Sequence, residues 1–207
     1  MRFDVRLYHK SVNVIANILP SEIFGMIGRL LFRMMMLYLR IYIGLLRKTR
    51  ERFLEYKWIL DNVNSGFDCL NVGCGDSLLD YELSRRFRRY VSIDLYKFPI
   101  AVKNPTIEFV QADIIRAPFK DKVFDVILCI STIEHIENDI GAMMEMKRLL
   151  KYGGKLYVSA PLGSQFYNEE SIRKLQINGL VAESYEIKSL SNGEKLCTMI
   201  LTKESLK

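Results

Sequence analysis

This 207-residue chain has little of what would mark a secreted, disulfide-stapled or membrane-spanning protein. Its four cysteines, Cys69, Cys74, Cys129 and Cys197, include no C-x-x-C pair, which excludes a zinc framework and a disulfide scaffold and leaves reduced thiols of a cytoplasmic protein. No apolar run reaches the roughly 20 residues that a bilayer crossing needs. The N-terminal apolar stretch is broken by arginines and lacks the small-residue site of a cleavable signal. Internal repeats and low-complexity segments are also missing. Acidic residues are scarce at one end only: residues 1–60 hold 11 Lys and Arg against 4 Asp and Glu, a net +7, whereas the rest of the chain has a net −1. A near-neutral domain lacks the basic face of a nucleic-acid binder, so no nucleic-acid partner is expected.

What is present is an apolar content of 49%, enough for a full core in one domain with an extension. The stretch from Glu22 to about Leu60 reads as helical, being rich in Leu, Met, Ile, Arg and Lys without proline. Polar turn formers and a glycine follow at 61–66, so the boundary falls there: residues 1–60 form a basic helical extension and 61–207 the main domain. Beyond it, strand-like and helix-like segments alternate. Strands are expected over Cys69 to Val72, Tyr90 to Ile93, Ile107 to Gln111, Phe124 to Ile130 and Lys155 to Ala160, with helices over Ser77 to about Arg88 and Asp139 to Leu150. Such alternation predicts βαβ units and an α/β fold with a parallel sheet.

The stretch "DCLNVGCGDS", residues 68–77, ends an apolar run on Gly73 and Gly75. Glycines where a strand turns into a helix let the backbone bend sharply and let a ligand lie against it. Completing a dinucleotide fingerprint would require glycine where Leu78 stands, which weakens a nicotinamide cofactor. Asp94 ends "YVSIDLY" about 20 residues after the glycines, the separation at which an acid meets ribose hydroxyls. An adenosine cofactor without a pyrophosphate points to S-adenosylmethionine.

Here the sequence resembles the class I (Rossmann-like) S-adenosylmethionine-dependent methyltransferases of the small single-domain type, over roughly residues 66 to 203. "LNVGCGDS", "VSIDLY", "VQADIIRAPFKDKVFDVILCISTIEHI" and "MKRLLKYGGKLYVSAP" look like the family's motifs in their usual order. The resemblance implies a mostly parallel seven-stranded sheet flanked by helices. It also implies cofactor contacts at Asn71, Gly73, Cys74, Gly75, Asp94, Leu95, Asp113, Ile114 and Cys129. Asp113 matches the residue that meets the adenine amino group, although an Asp there equally suits a turn cap. Two positions depart from the family: Asn71 stands where an acid is usual and Ser77 where a third glycine is. Pro99 and Pro105 exclude a long helix after Asp94.

Glu134 and His135 follow the fourth strand and are the expected catalytic pair, His135 as general base because an ordinary imidazole titrates near 6.5. They can equally cap or pack against the next helix. Ser131 stands where some relatives carry a further acid, and one carboxylate with one imidazole makes no metal site. "CISTIEH" lacks the Asn/Asp-Pro-Pro-aromatic stretch of enzymes that methylate exocyclic amino groups. The expected acceptor is therefore a small-molecule, lipid or glycan-type compound, with oxygen as the acceptor atom and carbon as the alternative. The alternative is a methyltransferase-like domain without catalysis that serves a partner through its N-terminal helix.

That helix carries a stripe at Ile27, Leu31, Met34, Tyr38, Ile41 and Leu45. Arg29, Arg33, Arg40 and Arg47 lie opposite, within about 40° of one another. Three placements fit residues 21–52: in the interface of an anionic membrane, which would put the protein on the inner membrane face; against its own copy in a homodimer; or on its own domain.

Overall fold

The computed structural model describes residues 20, 23, 25–31, 33–35, 37, 51–75, 77–163, 167–190 and 193–205, apart from the side chains of 99 and 100. Seven strands form one sheet in the order β3-β2-β1-β4-β5-β7-β6. They are β1 (Asp68–Val72), β2 (Arg89–Asp94), β3 (Glu108–Gln111), β4 (Phe124–Ile130), β5 (Leu150–Leu162), β6 (Leu180–Ser189) and β7 (Lys195–Lys203). The first five pair in parallel, and β7 inserts antiparallel between β5 and β6. Chain order runs outward from β1 through β2 to β3, then returns to place β4 on the other side of β1. Between β1 and β4, then, lies a topological switch point, where crevices open at the carboxyl ends of strands.

Helices α1 (Glu51–Asn62), α2 (Leu79–Leu83), α3 (Pro99–Lys103) and α4 (Asp139–Leu149) surround this sheet. The sheet is buried on both faces because successive side chains point to opposite sides and both sets are apolar. Leu70, Val72, Val91, Ile93, Ile127 and Cys129 pack with Met143 and Met146 of α4. Cys69, Tyr90, Val126, Leu128 and Tyr157 face Trp58 and Ile59 of α1 and Leu79 and Leu83 of α2. Near Gly153, whose φ is +71°, the pairing jumps from Phe124 with Leu150 to Val126 with Lys155, so Gly153 and Gly154 lie in a bulge inside one long strand.

The helix expected over Ser77 to Arg88 is shorter, and tertiary contacts explain its end. The Arg86 carbonyl accepts from the Gly66 amide at 2.8 Å, and the Arg86 guanidinium donates to the Leu60 carbonyl at 3.1 Å. Both pull the chain out of helical register. Glu51–Asn62 runs across the expected boundary, and its extension-side residues Trp58 and Ile59 join the core.

The described residues between 23 and 37 are helical and rest on the domain by an unexpected face. A Cβ on Gly28 would lie 2.1 Å from the Tyr81 ring, so that contact needs a glycine. Met35 packs on the same side. Leu31 and Met34 of the expected stripe are instead exposed, together with Ile23, Met26, Leu30 and Leu37. Small residues let the helix approach closely, and the larger apolar side chains are left outside. Tyr38, Ile41, Leu45, Arg40 and Arg47 lie outside the described residues.

Candidate active site

A cavity of ≈1430 Å³ opens at the carboxyl ends of β1, β2 and β4. Its first rim is the turn after β1. Gly73 and Gly75 have φ of +68° and +50°, values that side chains other than glycine's rarely adopt. The two glycines serve different ends. A Cβ on Gly73 would lie 2.1 Å from the Thr132 side chain, so this glycine lets the turns after β1 and β4 meet. Nothing lies within 4 Å of a Cβ on Gly75, which faces open cavity.

The next rim is the end of β2. Asp94 accepts from the Gly75 amide at 3.0 Å through Oδ2 and from the Tyr96 amide at 3.0 Å through Oδ1. A carboxylate has about four lone-pair sites, so each oxygen keeps one for a diol. Asp113 lines the cavity and also accepts from the Ile115 amide at 3.0 Å, capping the 3-10 turn Ile114–Arg116. Asp113 thus caps this turn from a position on the cavity wall. Asn71, Cys74, Leu95 and Ile114 line the same space. Cys129 does not: it is fully buried on β4, where burial pushes its thiol up.

His135 faces the cavity from the other side, with two thirds of its side chain exposed. Glu134 turns away, its side chain only 2% exposed, with Oε1 3.9 Å from His135 Nε2 and Oε2 without a hydrogen-bond partner among the described residues. Burial pushes its carboxyl up to about 7. The expected pair thus splits into one residue at the cavity and one behind it.

Several lining groups went unread in the sequence. Arg52 and Tyr56 reach the cavity from α1. Arg52 is held there by Glu55, a fully buried carboxylate that accepts from Ser159 Oγ at 2.6 Å, from Ser131 Oγ, and from Arg52 Nη1 at 3.3 Å, while the Tyr56 hydroxyl lies 3.4 Å from Ser77 Oγ. Burial raises the Glu55 pKa. Ser131 sits at φ +43°, strained for a non-glycine residue, and this hydroxyl contact helps to hold it there. Asp80 of α2 lies beneath the glycine turn, 1% exposed. Glu55 and Asp80 each stand among apolar and aromatic neighbours in sequence, the one signal that they are buried.

A site at the switch point, with a glycine turn, an acid ending β2 and a second acid after β3, suits an adenosine-containing cofactor. Residues 70–158 match the methyltransferase domain family. The ubiquinone biosynthesis O-methyltransferase of Pseudomonas fluorescens (strain SBW25) is 28% identical over 116 residues, 51% of this chain and 50% of that protein. The chain spans about half the length of the curated relatives it matches. Among solved structures, the N-methyltransferase NodS from Bradyrhizobium japonicum in complex with S-adenosyl-L-homocysteine aligns with a TM-score of 0.63 at 15% identity, over 75% of this chain and 88% of that one. The [4+2]-cyclase SpnF aligns with a TM-score of 0.65 at 14% identity, over 73% and 80%. Residues 70–158 are thus similar to the methyltransferase domain family, and the seven-stranded sheet has the Rossmann-like fold of these solved structures.

Proposed function

We propose that this protein transfers the methyl group of S-adenosylmethionine to an oxygen of a small-molecule, lipid or glycan-type acceptor. The observation that carries this reading is the convergence of Gly75, Asp94 and Asp113 with His135 on one cavity. Bound S-adenosylmethionine supplies an electrophilic methyl on a sulfonium. Asp94 accepts from the ribose hydroxyls while the Gly75 and Tyr96 amides fix its two oxygens. Asp113 accepts from the adenine amino group, and Ile114 packs beside the ring. The His135 imidazole takes the proton of the acceptor hydroxyl, which makes the oxygen a better nucleophile. Glu134 acts through His135, as a buried neighbour that orients the ring. Most of the rate enhancement comes from alignment of the reacting atoms, the larger part of what rigid positioning can supply.

The test is transfer of label from methyl-labelled S-adenosylmethionine into aqueous and lipid extracts. An O-methyl product supports the reading, while a protein that binds S-adenosylhomocysteine but labels nothing favours a binding module. Asn71, in place of the usual acid, is what favours that second reading, and SpnF is a reminder that fold alone does not set chemistry.

The attachment surface belongs to the same proposal. Ile23, Met26, Leu30, Met34 and Leu37 recur at helical spacing on the exposed side, with Arg33 beside them. An exposed apolar stripe beside basic charge, in a segment of net +7, suits an anionic membrane surface. Among the described residues no helix is long and apolar enough to cross a membrane. The protein should pellet with anionic liposomes, and a variant with Met26, Leu30 and Met34 changed to Ser should stay in solution. Failure of the unaltered protein to pellet sinks this part, and a shift from dimer to monomer in the variant would favour self-pairing.

A further inference from the structure

Asp80 is a buried carboxylate with no role in the site as described so far. It accepts from Asn71 Nδ2 at 2.9 Å, Tyr90 Oη at 3.0 Å and Ser92 Oγ at 3.5 Å. Among the described residues these are the groups that hydrogen-bond to it, and all are neutral donors. Cys69 on β1 and Tyr56 on α1 also sense its charge. A carboxylate out of water without a cation costs several kcal/mol unless something positive comes to meet it. Asp80 borders the cavity, so a cation arriving with a ligand can play that part.

Asn71 is the link between them. Its amide nitrogen is committed to Asp80, so its oxygen is what it offers to the cavity at the end of β1. A ligand whose sugar sits on Asp94 and which crosses the turn at Gly73 and Gly75 brings its far end to Asn71. For the cofactor proposed above, that end is an amino acid with an α-ammonium.

We infer that Asp80, acting through Asn71, is the counter-charge for the α-ammonium of the cofactor. Asn71 accepts from the ammonium through its oxygen, and Asp80 fixes the amide in that orientation and supplies the negative charge one residue back. Asp80 is thus a positioning residue, and the acid missing from position 71 has a substitute on α2. In Asp80→Asn the new amide donates, Asn71 turns its oxygen inward, and its N–H groups confront the ammonium.

The inference rests on the proposed cofactor, and calorimetry with two ligands on the full chain separates the two. S-adenosylhomocysteine carries the ammonium, and 5′-methylthioadenosine lacks the amino-acid end. Asp80→Asn should weaken S-adenosylhomocysteine about tenfold to a hundredfold and leave methylthioadenosine within about twofold. Exchanging the pair, Asn71→Asp with Asp80→Asn, should restore S-adenosylhomocysteine, with melting curves showing that both variants fold. Equal losses for both ligands, no loss for either, or a double variant no better than Asp80→Asn would overturn the inference while leaving the cofactor in place. Binding of neither ligand by the unaltered protein overturns both.

Discussion

The two sides of the cavity are built in different ways. On the β1–β2 side, Asn71, Gly73, Gly75 and Asp94 come from two short stretches of adjacent parallel strands, and the turn geometry is written into the glycines. On the β4 side, Ser131 owes its surroundings to α1, whose Glu55 lies 76 residues before it in sequence, and His135 follows on the same turn. One side depends on local backbone conformation and the other on a helix docking from a distance. Damage to the first should therefore read out as binding, and damage to the second as stability or turnover.

The largest expected effect comes from undocking α1. Trp58 packs edge-on against Tyr157 at 6.0 Å and is 7% exposed. Trp58→Ala should cost about 3–5 kcal/mol in urea unfolding. A loss under about 1 kcal/mol would mean that α1 is dispensable and would break the comparison. Next comes His135→Ala, which should lower turnover about 10²- to 10⁴-fold with S-adenosylhomocysteine affinity intact. If affinity falls instead, His135 belongs to the cofactor side. On that side, Asp94→Ala should weaken S-adenosylhomocysteine roughly 100-fold in calorimetry, since two hydrogen bonds to a charged group are at stake. An unchanged affinity would remove Asp94 from the site.

The smallest effect is one of pH. Burial holds the Asp80 carboxyl up to about 7 in the fold, against 3.8 for an ordinary Asp side chain. A raised folded value favours the protonated form, so Asp80's contribution to stability is complete below about pH 4 and is lost as pH rises through about 7. Without ligand, the stability of the unaltered protein relative to Asp80→Asn should fall across that window by a few kcal/mol at most, read from urea midpoints. Cofactor binding favours the ionised form and should run the other way. S-adenosylhomocysteine affinity should rise about tenfold from pH 6 to pH 8, and the rise should vanish in Asp80→Asn. A flat profile in the unaltered protein would detach Asp80 from the ligand.

Much of the β1–β2 side was legible. Asp68–Val72 and Arg89–Asp94 form strands within a residue of the spans that their apolar runs suggest, and Asp94 and Asp113 line the cavity where the motif spacing puts them. The reason is that strand burial, turn glycines and strand-end acids are set within a few residues of chain. The same locality misled where distant groups intervene. Gly73 looked like a place for a ligand, but the group that comes close is Thr132, carried there by β4. The N-terminal helix has a well-formed apolar stripe by periodicity, yet it rests on the domain through Gly28, because a helix docks by the face that lets it come nearest.

By itself, then, the sequence determined the α/β alternation, the switch-point turn and the acids that end its strands, since each follows from period, glycine and short spacing. Only the tertiary structure decided which buried carboxylates matter. Glu55 and Asp80 are ordinary acids in ordinary helices until burial removes their water and hydroxyl, amide and phenol groups from other elements replace it. Tertiary contacts alone also decided that Glu134 stands behind His135 rather than beside it, because the direction of a side chain in a one-turn helix is fixed by what packs around the turn.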